Sequence, residues 1–529
     1  LVYLAGAQAS DALKEPPYLE PMVKSGDLPP MAERLPKQPL VVDFDLNDKS
    51  VGRYCCELQL LMGKTKDIRM VTVYGYARLI GFDFNFDLKP DILESFESEE
   101  GRIFTLKIRE GHKWSDGHPF TAEDFRYYFE DVASDPELSA SGLPQVLLSN
   151  GKPPKFEVLD ELTVRYTWDD PNPAFPLGLA GPSPAYIYKP AHYLKQSHVK
   201  YNDRETLEKQ ATDEGYRKWT SKHTVLARQY RPENPELPTL QPWRNTTKGP
   251  SKLFEFVRNP YYHRVDPDGQ QLPYIDKVMV LTGSSDIVPT KAGSGESDLQ
   301  ARYLRFDNYT FLKEGEKTHD YRVLLWRSGV ASQISLYPNL NYKDPVWREL
   351  FQDVRFRRAL SIGVDRQELN EQLYFGLAKV GGDTVLERSP LYKETYATNW
   401  TQHDTDLANK MLDELGLQKR DENGTRLLPD GRPMEIIIES AGESTEQTDA
   451  LELIRYHWEA LGVKIFPRSL QRDIHRSRIV TGETMMTVSK GLNIGLAAPD
   501  LNPEELAPVS SVQPNWPVWG QYTETGGKA

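Results

Sequence analysis

The sequence predicts a mixed α/β protein with more than one hydrophobic core, and three observations carry that expectation. The chain has 529 residues, whereas a single core stops growing near roughly 250–300, so two or three core units are expected. In the N-terminal half, Arg102–Arg109 (RIFTLKIR) alternates apolar with polar side chains as a half-buried strand does, and it runs into helix-start signals. In the C-terminal half, residues 433–466 read as strand, helix, strand, which is the length of a parallel crossover.

Composition narrows the class. Apolar residues make up 39% of the chain, and 64 Lys and Arg are intermixed with 77 Asp and Glu, the balance of a folded, soluble protein. The formal charge of -13 excludes a nucleic-acid surface, which needs clustered cations to displace counterions, and disfavours anionic membranes for the same reason. No run reaches the ~18 apolar residues of a membrane span. The opening segment LVYLAGAQAS reads as the tail of a secretory signal over residues 1–9. Ala7 and Ala9 fall at the small-residue cleavage positions, leaving Ser10 as the mature start. Cys55 and Cys56 are the two cysteines. Adjacent residues rarely reach disulfide geometry, so two free thiols acting as small strand residues are expected, with no metal ligation.

Taken in order, residues 10–50 are rich in Pro and charge and read as an extended arm. Ile68–Tyr74 carries the β-branched residues of a strand. After Arg102–Arg109, Asp116-Gly117 supplies a turn. Thr121-Ala122-Glu123-Asp124 is then a capping box for a helix that places Phe125, Tyr128 and Phe129 on one face. Residues 353–378 read as a helix pair with Leu360, Val364, Leu369 and Leu373 on an apolar stripe, broken by Gly376. Gly424–Gly431 is a polar, turn-rich segment that reads as an insertion or hairpin. Met434–Ile438, Thr448–Leu461 and Val463–Phe466 form the crossover, with Gly462 stopping the helix.

Three of these segments resemble the family 5 extracellular solute-binding proteins, the peptide and dipeptide group of ABC importers. Leu88–Phe96, Phe104–Gly117 and Pro119–Phe125 are similar to the family's "P-D-L-A-x-S-W … F-x-L-R-x-G-x-x-F/W-x-D-G-x-P-x-T-A-x-D-V" signature. Asp353–Arg366 resembles its "D-x-R-x-R-x-A-L-x-x-A-I-D-R" helix, and Asp430–Pro433 followed by Leu461–Ile465 resembles "D-G-x-P … L-x-x-x-G-I-x-V". Arg258–Tyr262, Gln271–Asp276 and Trp516–Gln521 look like the Yej-type branch. The resemblance implies a periplasmic binding protein-like fold of the cluster C, type II kind: lobe I over 51–319 with an inserted subdomain, lobe II over 320–510, and 511–529 a truncated return segment toward lobe I. It implies a periplasmic, monomeric protein without cofactor or metal, which takes an oligopeptide or other small solute between its lobes and passes it to a membrane permease. The membrane would be met only through that permease.

The same resemblance points to three ligand loops. Tyr74 and Tyr76 flank Gly75 in the first, offering ring area plus hydroxyls beside a close backbone approach. Trp326, Ser332, Gln333, Asn339 and Asn341 fall in the second, with the neutral donors and acceptors a peptide backbone needs. In the third, Lys490 and Asn493 stand where peptide-binding relatives place an acid for the ligand's amino terminus, and Asp500 is the nearest acid downstream. Relatives also carry Gly-Gly at Cys55-Cys56. The arginines of Asp353–Arg366 read as structural, with Arg355, Arg357 and Arg358 pairing Asp353 and Asp365. An enzyme is not expected: His112, Asp116 and His118 have the wrong spacing for a helical metal motif, and no nucleophile elbow, Walker loop or dinucleotide fingerprint occurs. The alternatives are a secreted carboxylate-dependent hydrolase, glycosidase or peptidase, and a ligand-loaded sensor or chaperone.

Overall fold

A computed structural model of the chain describes residues 13–528 apart from 45–48, 141, 230, 232, 327, 386, 388–390, 443 and 493–502. The signal segment expected over 1–9 therefore lies outside the described residues. The chain divides into two compact units, Leu1–Leu304 with Phe311–Val323, and Arg305–Thr310 with Leu324–Ala529. Sequence reading put the boundary at 319/320. Residues 305–310 belong to the second unit because Phe306 stacks on Tyr309 and packs beside Tyr374 and Phe375, while the Thr445 hydroxyl donates to Asp307 at 2.7 Å.

The strands that build the main sheets are β1 (Cys55–Met62), β2 (Leu93–Glu99), β3 (Ile103–Ile108), β4 (Lys155–Asp160), β5 (Thr163–Thr167), β6 (Trp243–Asn245), β7 (Leu253–Arg258), β8 (Ile275–Thr282), β9 (Ser335–Pro338), β10 (Glu435–Ser440), β11 (Lys464–Ser469) and β12 (Met486–Ser489). The helices needed below are α1 (Glu20–Ser25), α2 (Met31–Arg34), α3 (Met70–Gly75), α4 (Ala122–Arg126), α5 (Val354–Ile362), α6 (Arg366–Tyr374), α7 (Thr405–Glu414), α8 (Thr445–Glu459), α9 (Arg472–Val480) and α10 (Pro517–Glu524).

Among the described residues, unit one holds two four-stranded sheets, beside two-stranded ladders that join Leu40–Val41 to Arg264–Val265 and Ile80–Phe82 to Leu88–Pro90. The first has the order β1-β8-β7-β6, with β1 and β8 parallel, and its core gathers Leu60, Met62, Phe254, Phe256, Val278 and Val280. The second, β2-β3-β5-β4, is antiparallel throughout. The alternation read in Arg102–Arg109 turns Phe104, Leu106 and Ile108 inward, to pack with Trp114, Phe125, Tyr166 and Trp168 in a core of their own. The capping box at Thr121 is present: its hydroxyl accepts from the Glu123 N–H at 3.3 Å, and Asp124 accepts from the Thr121 N–H at 3.0 Å. Asp124 also accepts from the Trp114 indole at 3.1 Å, so the cap and the core are one construction.

Three local expectations for unit one change. The arm is not wholly extended: it carries α1 and α2, and buried Arg34 ties it down by donating to Glu15 and to the carbonyls of Pro29 and Pro260. Ile68–Tyr74 is not a strand. It forms a 3₁₀ turn and α3, because the strand of this stretch is already β1 and because buried Ile68 and Val71 lie three apart, on one face of a helix. Cys55 and Cys56 are joined as a disulfide and are not free thiols. Cys56 adopts φ 93°, which breaks the alternation that would point successive strand side chains to opposite faces.

Unit two is built on the crossover. β10, α8 and β11 follow one another, β10 pairs in parallel with β11 and β12, and β9 closes the sheet antiparallel in the order β9-β12-β10-β11. Phe351, Phe356, Ile436, Ile438, Ile454, Trp458, Leu461 and Val488 form the core. Asp353 and Asp365 cap α5 and α6. Arg355 pairs with Asp353 at 2.7 Å as expected, but Arg357 donates to the Phe351 carbonyl and Arg358 lies over the Trp400 ring, so Asp365 pairs with His403 instead. Residues 424–431 form the expected hairpin, bridged at Arg420–Arg426 and Leu427–Pro433. Residues 511–528 belong to unit two, where α10 packs on α9 and the Leu340 N–H donates to the Asn515 carbonyl at 2.7 Å.

Candidate functional site

In open α/β sheets, ligand-binding loops gather beyond the carboxyl ends of the parallel strands. In unit two that end is marked by Ser440, Ser469 and Ser489, the last residues of β10, β11 and β12, and by Ser335, where antiparallel β9 begins. Here the chain continues β9 and β12 past their last ladder pair: the Gly491 N–H donates to the Ser332 carbonyl at 2.8 Å and the Ala331 N–H to the Leu492 carbonyl at 2.9 Å. A third segment crosses this paired loop. The Asp383 carboxylate accepts from the Leu492 N–H at 3.0 Å, and the Ser335 and Tyr337 hydroxyls lie close enough to favour its charged form. The Tyr337 hydroxyl also reaches the Lys490 carbonyl at 2.9 Å. Gly491 makes this possible, since a Cβ there would lie 2.1 Å from Asp383 Oδ1 and 2.8 Å from Ser332 Cβ.

The electrostatics are one-sided. Removal of water from around the Asp383 carboxyl raises its pKa. The Leu492 N–H and the two hydroxyls pull it down, and the charge of Glu505 pushes it further up. Part of the side chain still faces solvent. Burial likewise holds the Tyr337 phenol protonated. Lys490 is exposed, and its ammonium makes no ion pair among the described residues.

Of the residues expected from sequence, Ser332, Gln333 and Lys490 lie at this end of the sheet, with Ser332 and Gln333 half-buried and the Ser332 hydroxyl donating to the Ile334 carbonyl at 2.7 Å. Trp326 is 69% exposed on the segment leading into them. Asn493 and Asp500 lie outside the described residues. Asn339 and Asn341 stand at the opposite end of β9, a four-residue strand of about 13 Å. Asn339 is 1% exposed, and its amide is fully used. It donates to the Gly482 and Thr484 carbonyls at 3.1 and 2.9 Å and accepts from the Asn341 N–H at 2.9 Å. Asn341 in turn accepts from the Trp519 N–H at 3.2 Å, at the start of α10. The Asn339 amide is thus committed to the fold, and the Asn341 side-chain oxygen to the start of α10.

In the first loop, Tyr74 and Tyr76 likewise pack within unit one. Tyr74 is half-buried on α3 against the core of the β1 sheet, and burial raises its pKa. Gly75 faces Pro242, whose Cγ would lie 2.7 Å from an added Cβ, so its lack of a side chain serves packing. The Tyr76 hydroxyl donates to the Ala180 carbonyl at 2.7 Å and accepts from the Phe82 N–H at 3.1 Å, and its ring lies under the Arg78 guanidinium. Sequence reasoning missed Ser335, Tyr337 and Asp383. Gly381-Gly382 before Asp383 was the available signal. The tempting His112, Asp116 and His118 are separated: His112 is buried beside His263, while His118 is exposed and stacked on His192, which bonds Asp116 at 2.8 Å. No group of three or more potential ligands that could hold a metal ion occurs among the described residues, nor is any described helix long and apolar enough to cross a membrane.

Residues 87–502 match the model of the bacterial extracellular solute-binding proteins, family 5 Middle. A solved oligopeptide-binding protein OppA is 32% identical with a TM-score of 0.74, covering 92% of this chain and 76% of its own. The periplasmic alpha-galactoside-binding protein of Rhizobium meliloti is 26% identical over 87% of this chain and 68% of its own length. The periplasmic binding protein MelB of Agrobacterium fabrum, solved with stachyose, shares the fold at 23% identity with a TM-score of 0.67, over 97% of this chain and 78% of its own. The chain therefore belongs to the family 5 extracellular solute-binding proteins, which serve ABC transporters as binding proteins and are not enzymes.

Proposed function

We propose that this chain captures an oligopeptide or peptide-like solute in the periplasm and delivers it to an ABC permease, with the loop between Ala331 and Ser335, Asp383 and the residues after β12 forming the contacts contributed by unit two. The observation that carries the peptide reading is the 32% identity to an oligopeptide-binding protein across 92% of the chain. The chemistry of the loop agrees with it: Ser332, Gln333, Ser335 and Tyr337 are neutral hydrogen-bonding groups suited to a peptide backbone, which carries donors and acceptors but no charge. Binding at micromolar strength corresponds to about -8.2 kcal/mol, within reach of several hydrogen bonds at roughly 0.5–1.5 kcal/mol each together with buried apolar contacts. A second reading is an α-galactosyl oligosaccharide, favoured by the 26% identity to the alpha-galactoside-binding protein over 87% of the chain. The test is a thermal-shift screen of purified protein with di- to pentapeptides and with raffinose and stachyose. A bound solute raises the melting temperature by mass action. Peptide-dependent shifts support the first reading; shifts with the galactosides alone replace it by the second.

A further inference from the structure

The disulfide between Cys55 and Cys56 is not a staple of the fold. A disulfide stabilises mainly by closing a loop in the unfolded chain, and the effect grows with loop length. These two residues are neighbours in sequence, so the bond ties together nothing that the peptide bond does not. Nor is it packed away. Both cysteines are exposed, at the first two positions of β1, which is an edge strand of its sheet and pairs with β8 on its other side. The bond also interrupts the ladder. Cys55 pairs with Ile275 and Glu57 with Lys277, while Cys56 and Asp276 between them are passed over. Neighbouring side chains of a regular strand point to opposite faces, so joining the two sulfurs and keeping the strand regular exclude each other. Cys56, held at φ 93°, is where the strand gives way. A bond that closes no loop, breaks a rung and faces solvent is best explained by its chemistry, because exposed disulfides are the ones open to attack by an incoming thiolate. The pair also stands apart from solute binding. β1 is eight residues long, about 23 Å from first to last, and the cysteines sit at its amino end, opposite the carboxyl end where ligand loops gather.

We propose that Cys55 and Cys56 form a thiol–disulfide exchange site on the surface of unit one, whose reactant is a dithiol reductant. One thiolate of the reductant attacks the sulfur of one cysteine, the S–S bond breaks, and the other cysteine leaves as a thiolate that takes up a proton. The second thiol of the reductant then attacks the mixed disulfide, which closes the reductant's own disulfide and releases the first cysteine as a thiol. Two electrons and two protons pass from the dithiol to the pair. The site does not depend on which solute the chain captures. The experiment is intact-mass analysis of the native chain, equilibrated in air, after N-ethylmaleimide labelling before and after incubation with dithiothreitol. The untreated chain is expected to take no label and the reduced chain two. Thermal melts of the two forms should agree within about 2 °C, because so short a loop constrains little of the unfolded chain. Cys55→Ser leaves Cys56 without its partner and should take one label with no reductant present. Labelling of the untreated wild type overturns the proposal, since the thiols are then free. So does a bond that dithiothreitol opens only in denaturant, or a Cys55→Ser chain whose remaining thiol stays unlabelled. A midpoint that drops by about 10 °C or more on reduction assigns the bond to the fold instead. The wild-type labelling decides the matter even if the variant does not fold.

Discussion

Replacing Asn339 by alanine would strip partners from three backbone groups in unit two: the carbonyls of Gly482 and Thr484 and the N–H of Asn341. Buried groups left unpaired cost more than the net worth of the bonds they lose, so Asn339→Ala is expected to lower stability by about 2–4 kcal/mol. Urea unfolding measures this, and solute affinity per folded molecule should stay unchanged because the residue stands at the far end of β9. Sequence could not make this distinction. An asparagine offers the same donors and acceptor to a ligand as to a neighbouring carbonyl, and only the 1% exposure of Asn339 decides between them. Tyr76 is the same case, with a hydroxyl claimed by Ala180 and Phe82. Asp383 is the reverse: nothing near it in sequence marks it, because its partners Ser335, Tyr337 and Leu492 come from two other segments.

Elements were easier to read than residues where local chemistry and tertiary packing agree. The crossover β10–α8–β11, the capping box of α4 and the alternation of β3 were all legible, since each rests on a period or a spacing that the fold then uses. The 68–74 segment was misread because its β-branched residues outweighed the three-residue spacing of Ile68 and Val71; propensity is a weak prior beside packing. Gly462 shows how tightly the crossover is finished. It sits at φ 72°, and a Cβ would lie 2.8 Å from the Gly424 carbonyl oxygen and 2.7 Å from the Arg420 guanidinium. Gly431, at φ 86°, has nothing within 4 Å. Gly431→Ala should therefore cost only the left-handed backbone penalty of about 1–2 kcal/mol. Gly462→Ala should cost more, about 2–4 kcal/mol, because backbone at Gly424 must also move. Denaturant midpoints of the two variants make the comparison, and equal losses would show that crowding at Gly462 is relieved without cost.

Across the whole molecule, the buried ionisable groups of unit one set an acid response. Burial pushes His263 down to about 4 and His223 down to about 3, and His112 well below its ordinary value. Each stays neutral in the folded chain while its unfolded counterpart takes a proton near pH 6.5, so stability is lost as pH falls from about 6.5 toward those values. Asp124 acts in the opposite direction. Burial raises it to about 6, so between its unfolded value near 3.8 and about 6 the folded chain binds a proton that the unfolded chain does not. Three histidines outweigh one carboxyl, leaving a net uptake of about two protons on unfolding and a loss on the order of 2–3 kcal/mol per pH unit between about pH 6 and 4. Below that window Asp91 takes over. Though buried, it is held well under its ordinary value by Arg264 and His263, and its protonation at low pH releases both. Urea midpoints followed from pH 7.5 to 4.5 should fall steadily, and His263→Gln should flatten the curve by about half. A midpoint that rises on acidification would mean that Asp124, and not the histidines, governs the response.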